Sequence, residues 1–178
     1  GKSSLYNTTS GENNTAIGFS SGVSNTTGSH NTFLGAYSGQ LGTLTGSYNT
    51  AIGSTTLRKI QGAASDNIGC GYWSGYNLTT GRRNILLGRE AMYNATTAES
   101  NVAIGYNAGN NLTTALSNVI IGQFAGSNTT VEDSSVFIGN QAGKGSGGSA
   151  SYGYNVAIGK ESLYSHNGVY GNVAIGVE

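Results

Sequence analysis

Apolar residues in this chain come in clusters of three, each preceded by a polar residue and closed by Gly. Near the start the cluster reads Asn14-Thr-Ala-Ile-Gly18, in the middle Asn101-Val102-Ala103-Ile104-Gly105, and near the end Asn172-Val-Ala-Ile-Gly176. The other copies close at Gly35, Gly53, Gly71, Gly88, Gly122, Gly139 and Gly159. Successive glycines therefore stand 17, 18, 18, 17, 17, 17, 17, 20 and 17 residues apart. A fixed period this short marks stacked supersecondary units, each burying its apolar face only against its neighbours. Clusters rich in β-branched side chains predict short strands. The absence of any apolar stripe at 3.6-residue spacing predicts no helix.

Counted from the Asn, position +1 is always β-branched, from Thr15 and Thr32 to Val156 and Val173, and position +3 is Ile, Leu or, once, Cys70. These positions share one face of a strand, and that face is predicted to fill the coil. Position +2 faces the other way and is also mostly apolar. A strand apolar on both faces is usually buried on both. Phe33, Leu86, Ala103, Ile120 and Phe137 are therefore predicted to pack against a partner surface, most simply identical copies of the same chain. The Gly at +4 is predicted to take a positive φ or to allow close backbone approach. Three residues later comes a small side chain (Ser21, Thr56, Ala91, Ala125), then Gly or a larger apolar residue (Gly22, Leu57, Met92). This predicts a second short strand with a cramped inward position. Polar connections such as Asn77-Leu-Thr-Thr-Gly81 close each coil by turn chemistry, and the Gly/Ser-rich insertion 144–151 predicts a flexible surface loop. One coil departs from the pattern: Asn67-Ile-Gly-Cys-Gly71 has Gly69 and Cys70 where the apolar pair belongs.

Composition narrows the function classes. The 178 residues hold 30 Gly, no Pro, one Cys and 9% charged residues, against a usual ~25% charged. Leu, Ile, Val and Phe make up about one residue in five, near the disordered range. With a formal net charge of +0 and apolar positions held in phase, order wins. Neutrality offers no general attraction to nucleic acid or to an anionic membrane. A single Cys excludes an internal disulfide framework. No apolar run approaches the ~18 residues of a membrane span, and no signal peptide opens the chain. Gly1-Lys-Ser-Ser-Leu-Tyr6 matches Gly159-Lys-Glu-Ser-Leu-Tyr164, so residues 1–178 read as a single β-roll domain opening mid-coil, a fragment of a longer fibre.

Asn-Val/Thr-Ala-Ile-Gly, two variable residues, then Ala/Ser-Gly/Leu resembles the head repeat of YadA-like trimeric autotransporter adhesins. With its Asn-Thr-Thr-Gly connection it is also similar to repeats of phage tail fibres and bacterial surface fibres. The resemblance covers essentially the whole chain in ten copies. It implies an all-β fold, a left-handed parallel β-roll of about ten 17-residue coils. It also implies a homotrimer with Phe33, Leu86, Ala103, Ile120 and Phe137 at its interface, and an adhesive role outside the cell, on a cell surface or on a virion. The autotransporter repeat is shorter than this one, and no coiled-coil stalk, membrane anchor or chaperone domain accompanies it here.

Little points to catalysis. His30 and His166 lie in different connections and are predicted to be solvated; a triad or metal site needs converging groups. Cys70 is predicted to act as a small core hydrophobe. Gly143-Lys-Gly-Ser-Gly-Gly148 lacks the strand, helix and Gly-Lys-Ser/Thr ending of a phosphate loop. No enzyme, metal or cofactor is expected. The repeat Asn is predicted to form a stacked amide ladder that satisfies turn backbone. Recognition candidates gather in the middle coils: Arg58, Lys59, Arg82, Arg83 and Arg89 beside Tyr72, Trp73 and Tyr76, a set suited to the sugar rings or anionic groups of a host glycan, or to a protein receptor. Two alternatives are a purely structural spacer and an ice-binding threonine ladder built from pairs such as Thr79-Thr80, Thr96-Thr97 and Thr113-Thr114. The Asn-x-Ser/Thr sequons, Asn77 and Asn94 among them, follow from composition and are expected to be unmodified.

Overall fold

The computed structural model describes residues 1–147, 153–166 and 170–177. Its ten strands are β1 (Thr15–Ile17), β2 (Thr32–Leu34), β3 (Thr50–Ile52), β4 (Ile68–Cys70), β5 (Ile85–Leu87), β6 (Val102–Ile104), β7 (Val119–Ile121), β8 (Val136–Ile138), β9 (Val156–Ile158) and β10 (Val173–Ile175). They form one parallel sheet in chain order, each paired with the next in unshifted register, so that Val102 lies between Ile85 and Val119. The chain is an all-β solenoid of about nine turns, with no helix among the described residues. Below, coil n is the turn that begins with strand βn. The expected flexible loop 144–151 lies, from 148 onward, outside the described residues.

Both properties expected of the repeat glycine hold. It takes φ between 120° at Gly159 and 143° at Gly176. A Cβ on Gly105 would stand 2.7 Å from the Gly122 carbonyl oxygen of the next coil. Only a residue without a side chain lets the coils close to strand spacing here.

The facing of the strands is the reverse of the sequence expectation. Phe33, Ala51, Leu86, Ala103, Ile120, Phe137 and Ala157, all at +2, are completely buried inside one chain. The residues predicted to fill the coil point outward: Ile17, Leu34, Ile52 and Ile175 are 59%, 42%, 38% and 72% exposed. Phe33, Leu86, Ala103, Ile120 and Phe137 are thus core, not interface. Cys70, on the same outward column, is half-buried. A narrow coil holds large side chains only where its other wall yields space. A Cβ on Gly39 would come 2.3 Å from the Phe33 ring, and one on Gly143 2.3 Å from the Phe137 ring. The irregular coil follows the same rule from the other side. A Cβ on Gly69 would lie 3.0 Å from Leu57 Cγ, so Leu57 occupies the room that the missing side chain leaves.

The second strand is absent too. The small residue after each glycine is inward and buried as expected, Ser21, Ser38, Ala91 and Ala125 among them. It sits between two left-handed residues, however, such as Glu90 (φ 59°) and Met92 (φ 46°) around Ala91, and alternating handedness cannot make a strand. The connections also contribute core that their polar composition concealed: Leu44, Ile60, Leu78 and Leu112 are fully buried.

The Asn ladder is present. In most steps the backbone N–H and Nδ2 of one Asn both donate to Oδ1 of the previous Asn, as Asn101 does to Asn84 at 3.1 and 3.0 Å; Asn31 turns its Nδ2 to Asn25 Oδ1 instead. Nδ2 also donates forward to a turn carbonyl, that of Ala115 at 2.8 Å. Where Ser135 replaces Asn, the buried carboxylate of Glu132 completes the corner. Its Oε1 accepts from Ser135 Oγ at 2.6 Å and from Asn155 Nδ2 at 3.0 Å. His166, expected in solvent, is instead buried with Nε2 4.0 Å from Glu132 Oε2, while its Nδ1 donates to the Leu163 carbonyl at 3.0 Å.

Candidate functional site

The corner following each repeat glycine gathers the chemistry-bearing side chains. Its second residue adopts a left-handed φ in coils 1 to 9, among them Tyr37 (61°), Trp73 (61°), Phe124 (56°) and Glu161 (59°). Such angles are uncommon for residues other than Gly. Their recurrence at one phase shows that the coil dictates the backbone there while leaving the side chain free to vary.

In coils 2 to 6 this corner carries a continuous aromatic and basic ledge. Tyr72 stacks on Trp73 with ring centroids 4.6 Å apart, Trp73 tilts against Tyr93 at 5.6 Å, and Tyr93 stacks on Tyr76 at 5.2 Å. The Arg58 guanidinium lies between the rings of Tyr37 and Tyr76, at 5.6 and 5.7 Å. Its Nε donates to Gln40 Oε1 at 2.9 Å and its Nη1 to the Tyr76 hydroxyl at 3.2 Å. Lys59 donates to Asn77 Oδ1 at 2.8 Å and lies 5.4 Å from the Tyr76 ring centre. Arg89 spans the rings of Tyr72 and Tyr106 at 5.8 and 5.7 Å. Its hydrogen bond to the Glu90 carboxylate, with the attraction of that charge, raises the guanidinium above its ordinary value.

Six of the eight sequence candidates, Arg58, Lys59, Tyr72, Trp73, Tyr76 and Arg89, therefore share one surface. Arg82 and Arg83 do not. They occupy the connection before the repeat Asn, where both pair with Glu99, Arg82 at 3.6 Å. Their phase in the coil explains the separation: Arg58 and Lys59 stand five and six residues after a glycine, Arg82 and Arg83 eleven and twelve. The same phase count identifies Tyr37, Tyr93 and Tyr106, which grouping by sequence number missed. The threonines also fall in register. Thr79, Thr96 and Thr113 form a file in which each hydroxyl donates to the carbonyl of the threonine one coil on, at 2.9, 3.2 and 3.1 Å. Among the described residues no cluster of His, Cys, Asp or Glu could hold a metal ion, and no helix is long and apolar enough to cross a membrane.

Comparison with protein-family models, with curated proteins and with solved structures finds no match for this chain. The ledge offers flat π faces flanked by the planar guanidinium groups of Arg58 and Arg89, which are attracted to the electron-rich faces of the rings. Its chemistry suits non-covalent recognition of ring-shaped or anionic groups.

Proposed function

We propose that this chain is a structural and adhesive segment of an extracellular or virion fibre. It assembles as a homotrimer and presents its coil corners to a host-surface glycan or protein receptor. One observation carries the assembly: the outward face of the sheet is lined with Ile, Leu and Val on strand after strand and is left substantially exposed by the single chain, as at Ile52, Ile68, Ile85 and Ile158. An apolar surface repeated over ten strands exceeds what a monomer usually exposes. Identical copies supply a partner with the same repeat, and the resemblance to trimeric fibre repeats favours three of them. Light scattering on the intact chain tests this. Wild type should weigh three chains, and Ile52→Asp with Ile104→Asp should weigh one while keeping its β-sheet circular dichroism. A wild-type mass of one chain removes the trimer.

For adhesion, the ledge from Arg58 to Arg89 is the surface proposed to bind. Wild type and Arg58→Ala/Trp73→Ala are compared on a glycan array and on host cells, and equal signals would remove this ledge as the site. A second reading, ice binding, draws on the in-register threonine file. Its hydroxyl hydrogens are already committed to the next coil, which leaves fewer donors for water, and absence of thermal hysteresis disposes of it.

A further inference from the structure

Towards the far end of the ledge the corner changes chemistry. A groove of about 600 Å³ runs along coils 5 to 8, and most of its lining is carboxamide. Several of these amides are only half satisfied. Asn107 Oδ1 accepts from Asn110 Nδ2 at 2.7 Å, Asn111 Oδ1 from Asn94 Nδ2 at 3.0 Å, and Gln123 Oε1 from Asn140 Nδ2 at 3.2 Å. The NH2 groups of Asn107, Asn111 and Gln123 have no partner among the described residues. Ser127, only 4% exposed, lies at the floor, and its hydroxyl also has no partner among the described residues. Buried polar groups in folded proteins are nearly always hydrogen-bonded. By that rule Ser127 Oγ calls for a partner, while the amide NH2 groups, open to solvent on the same concave wall, are donors that a ligand can take over from water.

Charge and shape narrow the ligand. The lining holds one cation, Lys144, which donates to Gln141 Oε1 at 2.8 Å and to the Tyr164 hydroxyl at 3.2 Å. It holds one acid, Glu90, which is bonded to Arg89 at 2.9 Å. Lys144 therefore keeps a charge with no acid partner among the described residues, while every other side-chain donor of the lining is a neutral amide or hydroxyl. An apolar ring is present: Phe124, held edge-on by Tyr106 with centroids 5.2 Å apart. Neutral donors around an apolar ring match hydroxyls around a sugar's C–H face. Four coils at ~4.8 Å spacing make a track about 14 Å long, which calls for a chain of sugar units lying along the axis.

We infer that this groove binds a neutral, extended oligosaccharide, with Asn107, Asn111 and Gln123 donating to its hydroxyls and Phe124 packing on a sugar face. The inference rests on the adhesive reading and places a second binding surface beside the aromatic ledge. The intact chain is titrated with cellotetraose, maltotetraose and chitotetraose, and with sialyllactose as an acidic comparator, by calorimetry and by following side-chain amide NMR signals. At least one neutral tetraose should bind. Gln123→Ala/Phe124→Asn should weaken it at least about tenfold, with Asn chosen because it tolerates the left-handed φ of 56° at that position. Trp73→Ala should leave it within about twofold. Unchanged far-ultraviolet circular dichroism and melting confirm that each variant is folded. Failure of every neutral tetraose to bind at about millimolar concentration, or binding that survives the groove variant, overturns the inference. If binding is instead lost in Trp73→Ala alone, the groove falls and adhesion through the ledge stands.

Discussion

Along the ten strands the inner column runs Ala16, Phe33, Ala51, Gly69, Leu86, Ala103, Ile120, Phe137, Ala157 and Ala174. The outer column at +3 runs Ile, Leu, Ile, Cys, Leu and then Ile to the end. The inner side chains range from nothing to a phenyl ring and are all but completely buried from β2 to β9. The outer ones hardly vary in size and stay partly exposed. Variation inside is possible because each large residue has a glycine or a small residue across the coil from it, so volume is conserved over neighbouring coils and not position by position. Uniformity outside has a different origin, since those positions need only suit a strand and offer one continuous apolar surface.

The comparison breaks first at Phe137. Truncation to Ala should destabilise the chain by about 3–5 kcal/mol, because Gly126 and Gly143 leave nothing to fill the space, as measured by denaturant unfolding. A loss below about 1 kcal/mol would mean that the ring is not core. Next comes the corner repaired at Ser135. Glu132→Ala removes the acceptor for Ser135 and Asn155 and should lose about 2–4 kcal/mol. Adding Ser135→Asn restores the Ala-x-x-Asn arrangement of Ala115 and Asn118 and should recover most of that loss. No recovery would show that the carboxylate does something beyond completing the amide ladder.

The compensation inside the coil has its own test at the irregular strand. Gly69→Leu alone forces Cβ to within 2.7 Å of Thr56 Cγ2 and 3.0 Å of Leu57 Cγ, and should lose about 1–3 kcal/mol. Combining it with Thr56→Ala and Leu57→Gly reproduces the arrangement of Ile120, Ala108 and Gly109, and moves Gly into a position that now holds a leucine at φ 46°. The triple variant should regain at least about half of the loss. If it is less stable than Gly69→Leu, the coils do not conserve volume in this way.

Much of the scaffold was legible because it rests on requirements that recur at fixed phase. The glycine spacing gave the coil length, the three-residue clusters gave the strands, and the repeat Asn gave the ladder. Which strand face lies inside was not legible from alternation, since period two fixes which residues share a face and not which face is buried. The usable signal was size. Only the +2 column mixes Gly, Ala, Leu and Phe, and its aromatic members, Phe33 and Phe137, occur in coils with Gly39 and Gly143 across from them. His166 was misplaced because Glu132 reads as one more loop carboxylate until the missing Asn at 135 is noticed. At the candidate site, Arg82 and Arg83 are close to Trp73 in number but far from it in phase, and a solenoid sorts side chains by phase.

The smallest effect is expected on the outer face, and it separates the two columns most sharply. Ile104→Thr keeps a β-branched residue on an outward, half-buried position, so the dilute single chain should change by less than about 0.5 kcal/mol. Copies that cover this face stabilise one another by mass action, so the wild-type melting temperature should rise with protein concentration. In the variant that rise should shrink, while the dilute melting temperature stays put. The same substitution on the inner column, Ile120→Thr, should lower melting at every concentration alike, because it removes core and touches no partner. Should both variants shift melting equally at all dilutions, the outward isoleucines belong to the fold of one chain, and the face proposed to hold three chains together is only a wall of the coil.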